Sequence, residues 1–173
     1  MNTSILTADA IRDATANIAA KIFTRTGYPI HVHVIMNGAF MFASDFLRMY
    51  PGKIADVYFP LVRRGYSTGA IHLPHLLKAT APAINPRVLR THVILDVIVE
   101  EGLTINHYLK YFPKVLQPRV LVAALIQKGK TTLPEGWIIG RKFDSVGFLY
   151  GYGMGPERHS NSIFEEAPHA NKT

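Results

Sequence analysis

The stretch that most constrains the fold runs from His92 to Asn106: His-Val-Ile-Leu-Asp-Val-Ile-Val-Glu-Glu-Gly-Leu-Thr-Ile-Asn. Val93, Ile94 and Leu95 form an apolar, largely β-branched run, which predicts a buried strand. Acidic side chains follow at Asp96, Glu100 and Glu101, then a glycine, Gly102, and an amphipathic run through Tyr111 that predicts a helix over about 103–112. A strand that passes through an acidic, glycine-bearing loop into a helix suits an anion. Freed backbone N–H groups converge there, and the Thr104 hydroxyl can join them. Carboxylates just before that point suit ribose hydroxyls or a hydrated magnesium ion. An ordinary strand-to-helix turn has the same composition, because Glu near a helix N-terminus is stabilising without any ligand.

Strand and helix patterns recur on either side. Ile11, Ala14, Ile18 and Ile22 share one helical face over 8–23, with Thr7 as N-cap, Asp9 in the first turn, and Gly27 and Pro29 ending the connection. Residues 30–36 predict a strand with His31 and His33 on one face; without a third ligand, a polar face is the simpler reading than a metal site. From Met36 the chain predicts a strand, a glycine turn at Gly38, and a helix with Phe40, Phe42 and Phe46. Residues 54–62 predict another strand, which Pro60 pushes to a sheet edge. Residues 63–72 are basic, aromatic and glycine-rich, and on composition alone read as a basic hairpin turn. Three prolines in 72–87 predict an irregular excursion with one short helix near 75–79. Residues 119–126 predict a buried strand, followed by Lys128, Gly129 and Lys130. A turn-rich link, a short apolar segment at 137–140 and a glycine-punctuated strand at 146–155 complete the pattern, and the chain turns polar from Glu165.

A chain of 173 residues predicts a single domain, here 1–164, with a polar tail over 165–173. With no cysteine, disulfides and thiolate chemistry are excluded. The formal charge of +7 suits a nucleic acid or a polyphosphate-bearing substrate, but the basic residues are scattered and form no nucleic-acid arm. No apolar run approaches the roughly 18 residues of a membrane span, and no basic-then-apolar leader opens the chain. The expectation is a soluble cytoplasmic protein without a membrane or nucleic-acid partner.

The segment from Leu95 to Thr104 resembles the phosphoribosyl-diphosphate (PRPP) motif of type I phosphoribosyltransferases. Asp96 matches its first acid, Glu100 the acid after the apolar pair, and Gly102 and Thr104 its closing glycine and threonine. Val97 replaces the second acid, and Glu101 a small hydroxyl residue that faces the phosphate. Gly38 to Asp45 is similar to the second signature of the hypoxanthine-guanine phosphoribosyltransferase branch, in which the backbone at Asn37-Gly38 would contact pyrophosphate. The loop around Tyr66 resembles that branch's catalytic lid. Phe148 to Gly155 resembles its base-binding segment, with Gly155 in place of an aspartate and Asn161 in place of an arginine.

The resemblance implies the type I phosphoribosyltransferase fold: α/β, with a mostly parallel central sheet flanked by helices, and a small hood. The ligand would lie at the carboxyl ends of the strands. It implies transfer of ribose 5-phosphate from PRPP to a hypoxanthine- or guanine-like base, giving a nucleoside monophosphate and pyrophosphate, with Mg2+, as in purine salvage. Asp96 would meet ribose hydroxyls or the metal, Glu100 would act as general base near N7, and Tyr66 would belong to the lid. Glu101, Gly102, Leu103 and Thr104 would surround the 5′-phosphate. Phe148 would stack on the base, the Leu149 backbone would read its edge, and Lys128 would contact its exocyclic oxygen. Small-molecule substrates and a homodimer or homotetramer are implied too. The substitutions at Asn37, Val97, Glu101, Gly155 and Asn161 support an alternative, a weakly active or inactive nucleotide-binding or regulatory protein on the same fold.

Overall fold

The structure, a computed structural model, describes residues 4–27, 29–36, 38–60, 90–144, 147–155 and 158–166, with the backbone alone for 63–64 and 71–72. Five strands form a parallel sheet in the order β3-β2-β6-β7-β8. They are β2 (Ile30–Val34), β3 (Ile54–Tyr58), β6 (Thr91–Val99), β7 (Val120–Lys128) and β8 (Ile138–Phe143). The central pair, β6 and β7, is the most apolar in sequence because helices or loops cover both its faces. As Pro60 predicts, β3 lies at a sheet edge.

One face of the sheet is covered by α1 (Ala8–Thr26) and α2 (Phe40–Met49). The Thr7 side chain caps α1 by accepting from the Ala10 N–H, and Gly27 ends the helix in the left-handed conformation. Ile11, Ala14, Ile18 and Ile22 from α1 pack with Phe42, Ala43 and Phe46 from α2 over Val93, Leu95 and Val97. The opposite face carries α3 (Leu103–Leu109), whose Ile105 and Tyr108 join Ile94, Phe112, Val122 and Ala124. Successive residues of β6 feed opposite cores, as strand alternation requires. A 3₁₀ turn at Gln117–Arg119 leads into β7. Among the described residues, no helix is long and apolar enough to cross a membrane.

A second sheet forms the hood. In it β10 (Ile163–Glu166) lies between β1 (Ser4–Leu6) and β9 (Phe148–Tyr150), antiparallel to both. Glu165 and Glu166 are therefore strand residues, paired with Leu149 and Phe148, and not the start of a polar tail. A short antiparallel pair, β4 (Arg63–Arg64) with β5 (Ile71–His72), flanks Tyr66 in sequence. Tyr66 itself, Asn37 and the expected helix at 75–79 lie outside the described residues.

Two sequence expectations change. Asp96 is not a loop residue: β6 runs on to Val99, so its carboxylate projects from the strand. His31 and His33 do not form a solvated polar face. His33 lies against Tyr108 of α3 and is fully buried, and His31 is partly buried. Its Nδ1 is 2.9 Å from the Tyr108 hydroxyl and its Nε2 is 3.0 Å from Nδ1 of His92. His31 stacks on His92 and lies 2.9 Å from the Asp56 carboxylate. Burial holds His33 and His92 at about 3 and about 4, with repulsion from neighbouring imidazoles adding to it. Both are neutral rings serving a hydrogen-bonded core.

Candidate active site

A cavity of about 320 Å³ opens at the carboxyl end of β6. Its lining runs from Asp96 to Ile105 and includes Glu100, Glu101, Gly102, Leu103 and Thr104, the set singled out in sequence. The loop turns at Gly102, which has φ +72° and starts α3. An added Cβ there would lie 2.8 Å from Cη2 of Trp137. Gly102→Ala therefore combines a left-handed backbone with a steric overlap. We expect it to lose about 1–3 kcal/mol of stability, read from the urea midpoint. An unchanged midpoint would mean that Trp137 can move aside freely.

Lys128, at the end of β7, reaches across to Glu100: Nζ lies 2.9 Å from Oε1, with the lysine side chain largely buried and the glutamate half exposed. A cation and a carboxylate thus meet at the neighbouring ends of the two central strands. The sequence offers the two residues as separate candidates, 28 positions apart, and the parallel pairing of β6 with β7 brings them together. Glu101 is solvent-exposed.

The Asp96 carboxylate accepts the Val97 N–H at 2.8 Å. Desolvation pushes its pKa up to about 7, and the N–H groups of Val97 and Ile98 counter only part of that. In the unfolded chain the group ionises near its ordinary value of 3.8. The folded state thus holds the extra proton between these values, and stability falls as pH rises through that window. Asp96→Asn should be more stable than the parent at pH 8 by on the order of 2–4 kcal/mol, with the gap closing below pH 4. Denaturant melts at both pH values test this, and an Asn variant less stable at pH 8 would refute it.

The other signatures converge from the opposite side. At Gly38 an added Cβ would lie 3.2 Å from Cγ1 of Val97 and 3.5 Å from Cγ of Met154; one at Gly153 would lie 3.1 Å from the Gly38 carbonyl oxygen. The glycine turn before α2, the middle of β6 and the 148–155 segment are thus in backbone-level contact. A bond unseen in sequence fixes this arrangement: Tyr152, at φ 48°, donates its hydroxyl hydrogen to Asp45 of α2 at 2.5 Å. Burial and the neighbouring carboxylate both raise the phenol's pKa. Phe148 is 56% exposed, whereas Leu149 is buried, so only the backbone of Leu149 is free to meet a ligand. Cε1 of Phe148 would lie 3.3 Å from a Cβ at Gly155.

No family model matches the sequence, and no curated protein matches it either. Solved structures do. A hypoxanthine-guanine phosphoribosyltransferase from Bacillus anthracis, with HEPES in its active site, aligns at TM-score 0.76 and 18% identity over 95% of this chain and 96% of that chain. Hypoxanthine phosphoribosyltransferase from Trypanosoma cruzi, in complex with the product IMP, aligns at 0.76 and 18% over 95% and 94%. A Staphylococcus aureus hypoxanthine phosphoribosyltransferase aligns at 0.70 and 22% over 96% and 93%. These likenesses show the fold, which is that of the type I phosphoribosyltransferases.

Proposed function

We propose that this protein is a purine phosphoribosyltransferase that joins a hypoxanthine- or guanine-like base to PRPP, releasing pyrophosphate. The observation that carries the reading is the Glu100–Lys128 pair at the mouth of the acidic cavity. A 6-oxopurine presents a titratable N–H and an exocyclic oxygen a few ångströms apart. A carboxylate and an ammonium side by side match that edge. Glu100 takes the proton shed at N7 while the partner ring nitrogen bonds to C1′ of the ribose, and the bond from C1′ to the pyrophosphate oxygen breaks. Lys128 donates to the exocyclic oxygen, and Phe148 offers its exposed face for stacking. The backbone from Gly102 to Thr104 surrounds the 5′-phosphate, and Asn37-Gly38 meets the departing pyrophosphate. Tyr66 would belong to the lid that keeps water from the reacting carbon.

Magnesium fits this site as a companion of the diphosphate. Among the described residues no group of three His, Asp or Glu could hold a metal, and magnesium commonly rests on one or two carboxylates plus substrate phosphates. Asp96 would hold it through water, and the ion would supply charge neutralisation on the leaving group. A cytoplasmic homodimer or homotetramer acting in purine salvage is what the sequence resemblance implies.

Val97 favours a second reading, a nucleotide-binding protein with little turnover. It is buried against Gly38 and presents hydrocarbon where the resembling motif has its second acid. Pyrophosphate release from PRPP and magnesium, measured separately with hypoxanthine, guanine, xanthine and adenine, separates the two. The transferase predicts release that depends on the base. Binding of PRPP or a nucleotide by calorimetry without release would establish the second reading, and the absence of both would defeat the proposal.

A further inference from the structure

A larger cavity than the one at β6 lies elsewhere. A hollow of about 810 Å³ lies against the C-terminal half of α1, the crossover that joins β7 to β8, and β8 itself. That volume is typical of small-molecule sites. Four cations line it: Lys21 and Arg25 from α1, Lys130 from the crossover and Lys142 from β8. Among the described residues of the lining the acids are Glu135 and Asp144, so four positive charges against two leave +2. None of the six forms an ion pair with another described residue. Arg25 donates to the Gly136 carbonyl, at 3.0 Å, which fixes one guanidinium nitrogen on the cavity wall. Unneutralised cations on one concave surface focus a positive potential and draw in anions. The cavity at β6 is lined instead by Asp96, Glu100 and Glu101.

We propose that this hollow is a second binding site, for a small polyanion carrying two or more linked phosphates. Thr131 and Thr132 add hydroxyl groups to the lining. Trp137, the only tryptophan in the chain, forms part of the wall. The far edge of its ring abuts Gly102, at the turn into α3. A ligand in the hollow therefore presses on the same side chain that bounds the acidic loop. The site stands whether or not the acidic cavity turns over substrate.

Trp137 fluorescence reads occupancy directly. The intact protein is titrated with inorganic tripolyphosphate at low salt, without magnesium. A saturable change is expected. It should weaken at least tenfold in the double variant Lys130→Gln/Lys142→Gln, and it should shift to higher concentration with added salt. Both lysines are exposed and unpaired among the described residues, so the variant keeps its fold, as circular dichroism will verify. Thr104→Val, in the acidic cavity, should leave the titration unchanged. Equal affinity for ATP and tripolyphosphate would assign recognition to the phosphate chain, whereas tighter ATP would add the nucleoside; both support the site. No response, a response that survives the double variant, or one lost in Thr104→Val would overturn it.

Discussion

Glu100→Gln is expected to lower base-dependent pyrophosphate release by about 10²–10⁴-fold, the usual contribution of a general base. The substitution is nearly isosteric. Gln keeps an oxygen that accepts from Lys128 at the 2.9 Å separation of the parent pair, so the loop geometry survives. What it loses is the ability to hold a proton taken from the base. The loss should therefore fall on kcat, with the PRPP concentration for half-saturation changed by less than a few-fold. Circular dichroism and the urea midpoint should match the parent, because the glutamate is half exposed and the pair is worth little to stability. A Gln variant with parental turnover would remove Glu100 from the chemistry.

The second large effect is acid lability set by the buried histidines. His33 and His92 ionise in the unfolded chain near 6.5, but are held at about 3 and about 4 in the fold. Between those limits the unfolded chain binds more protons than the native one, so stability is fully present above pH 6.5 and drains away as pH falls. The two rings share a hydrogen bond, so their shifts are not summed. The larger alone corresponds to about 4–5 kcal/mol, a large part of the stability of an ordinary domain. Unfolding near pH 4 is the expected result. His31 adds to the trend, because burial lowers its pKa as well, and Asp56 offsets only part of that burial.

His33→Leu isolates the cause. At pH 8 the variant should be less stable by about 1–3 kcal/mol, since Tyr108 and His92 each lose a partner. Its stability should also decline less between pH 8 and pH 5 than the parent's. Parallel pH profiles for the two proteins would move the acid lability to other groups.

Much of this was readable in the chain. β6 and β7 announce themselves by continuous apolar runs, because a central parallel strand is covered on both faces. The Asp96 to Thr104 set lies on one contiguous stretch, from the end of β6 through the turn at Gly102 into α3, so spacing alone gathers it. Other features depend on distant partners. β1 and β10 are three and four residues long, and they form only because Ser4 meets Phe164 across the whole chain. β8 contains Gly140, Arg141 and Lys142, a composition that an edge strand tolerates and a pattern search passes over. His33 reads as polar until His92 and Tyr108, 59 and 75 positions away, supply the partners that let it be buried. The Asp45–Tyr152 bond spans 107 positions and left no local trace.

The hood sheet has a consequence for synthesis. β9, which displays Phe148, has β10 as its only neighbour in that sheet, and β10 is seated in turn on β1. On the ribosome β1 emerges first and waits while the parallel sheet assembles behind it. Phe148 emerges before the strand that will anchor it. Until residues 163–166 leave the exit tunnel, β9 has no ladder in that sheet and Phe148 is not held in place. Such long-range closure is slow compared with local helix formation. The nascent chain therefore carries the finished turn at Gly102 well before β9 has a partner, and the two are in place together only once residues 163–166 have joined the sheet.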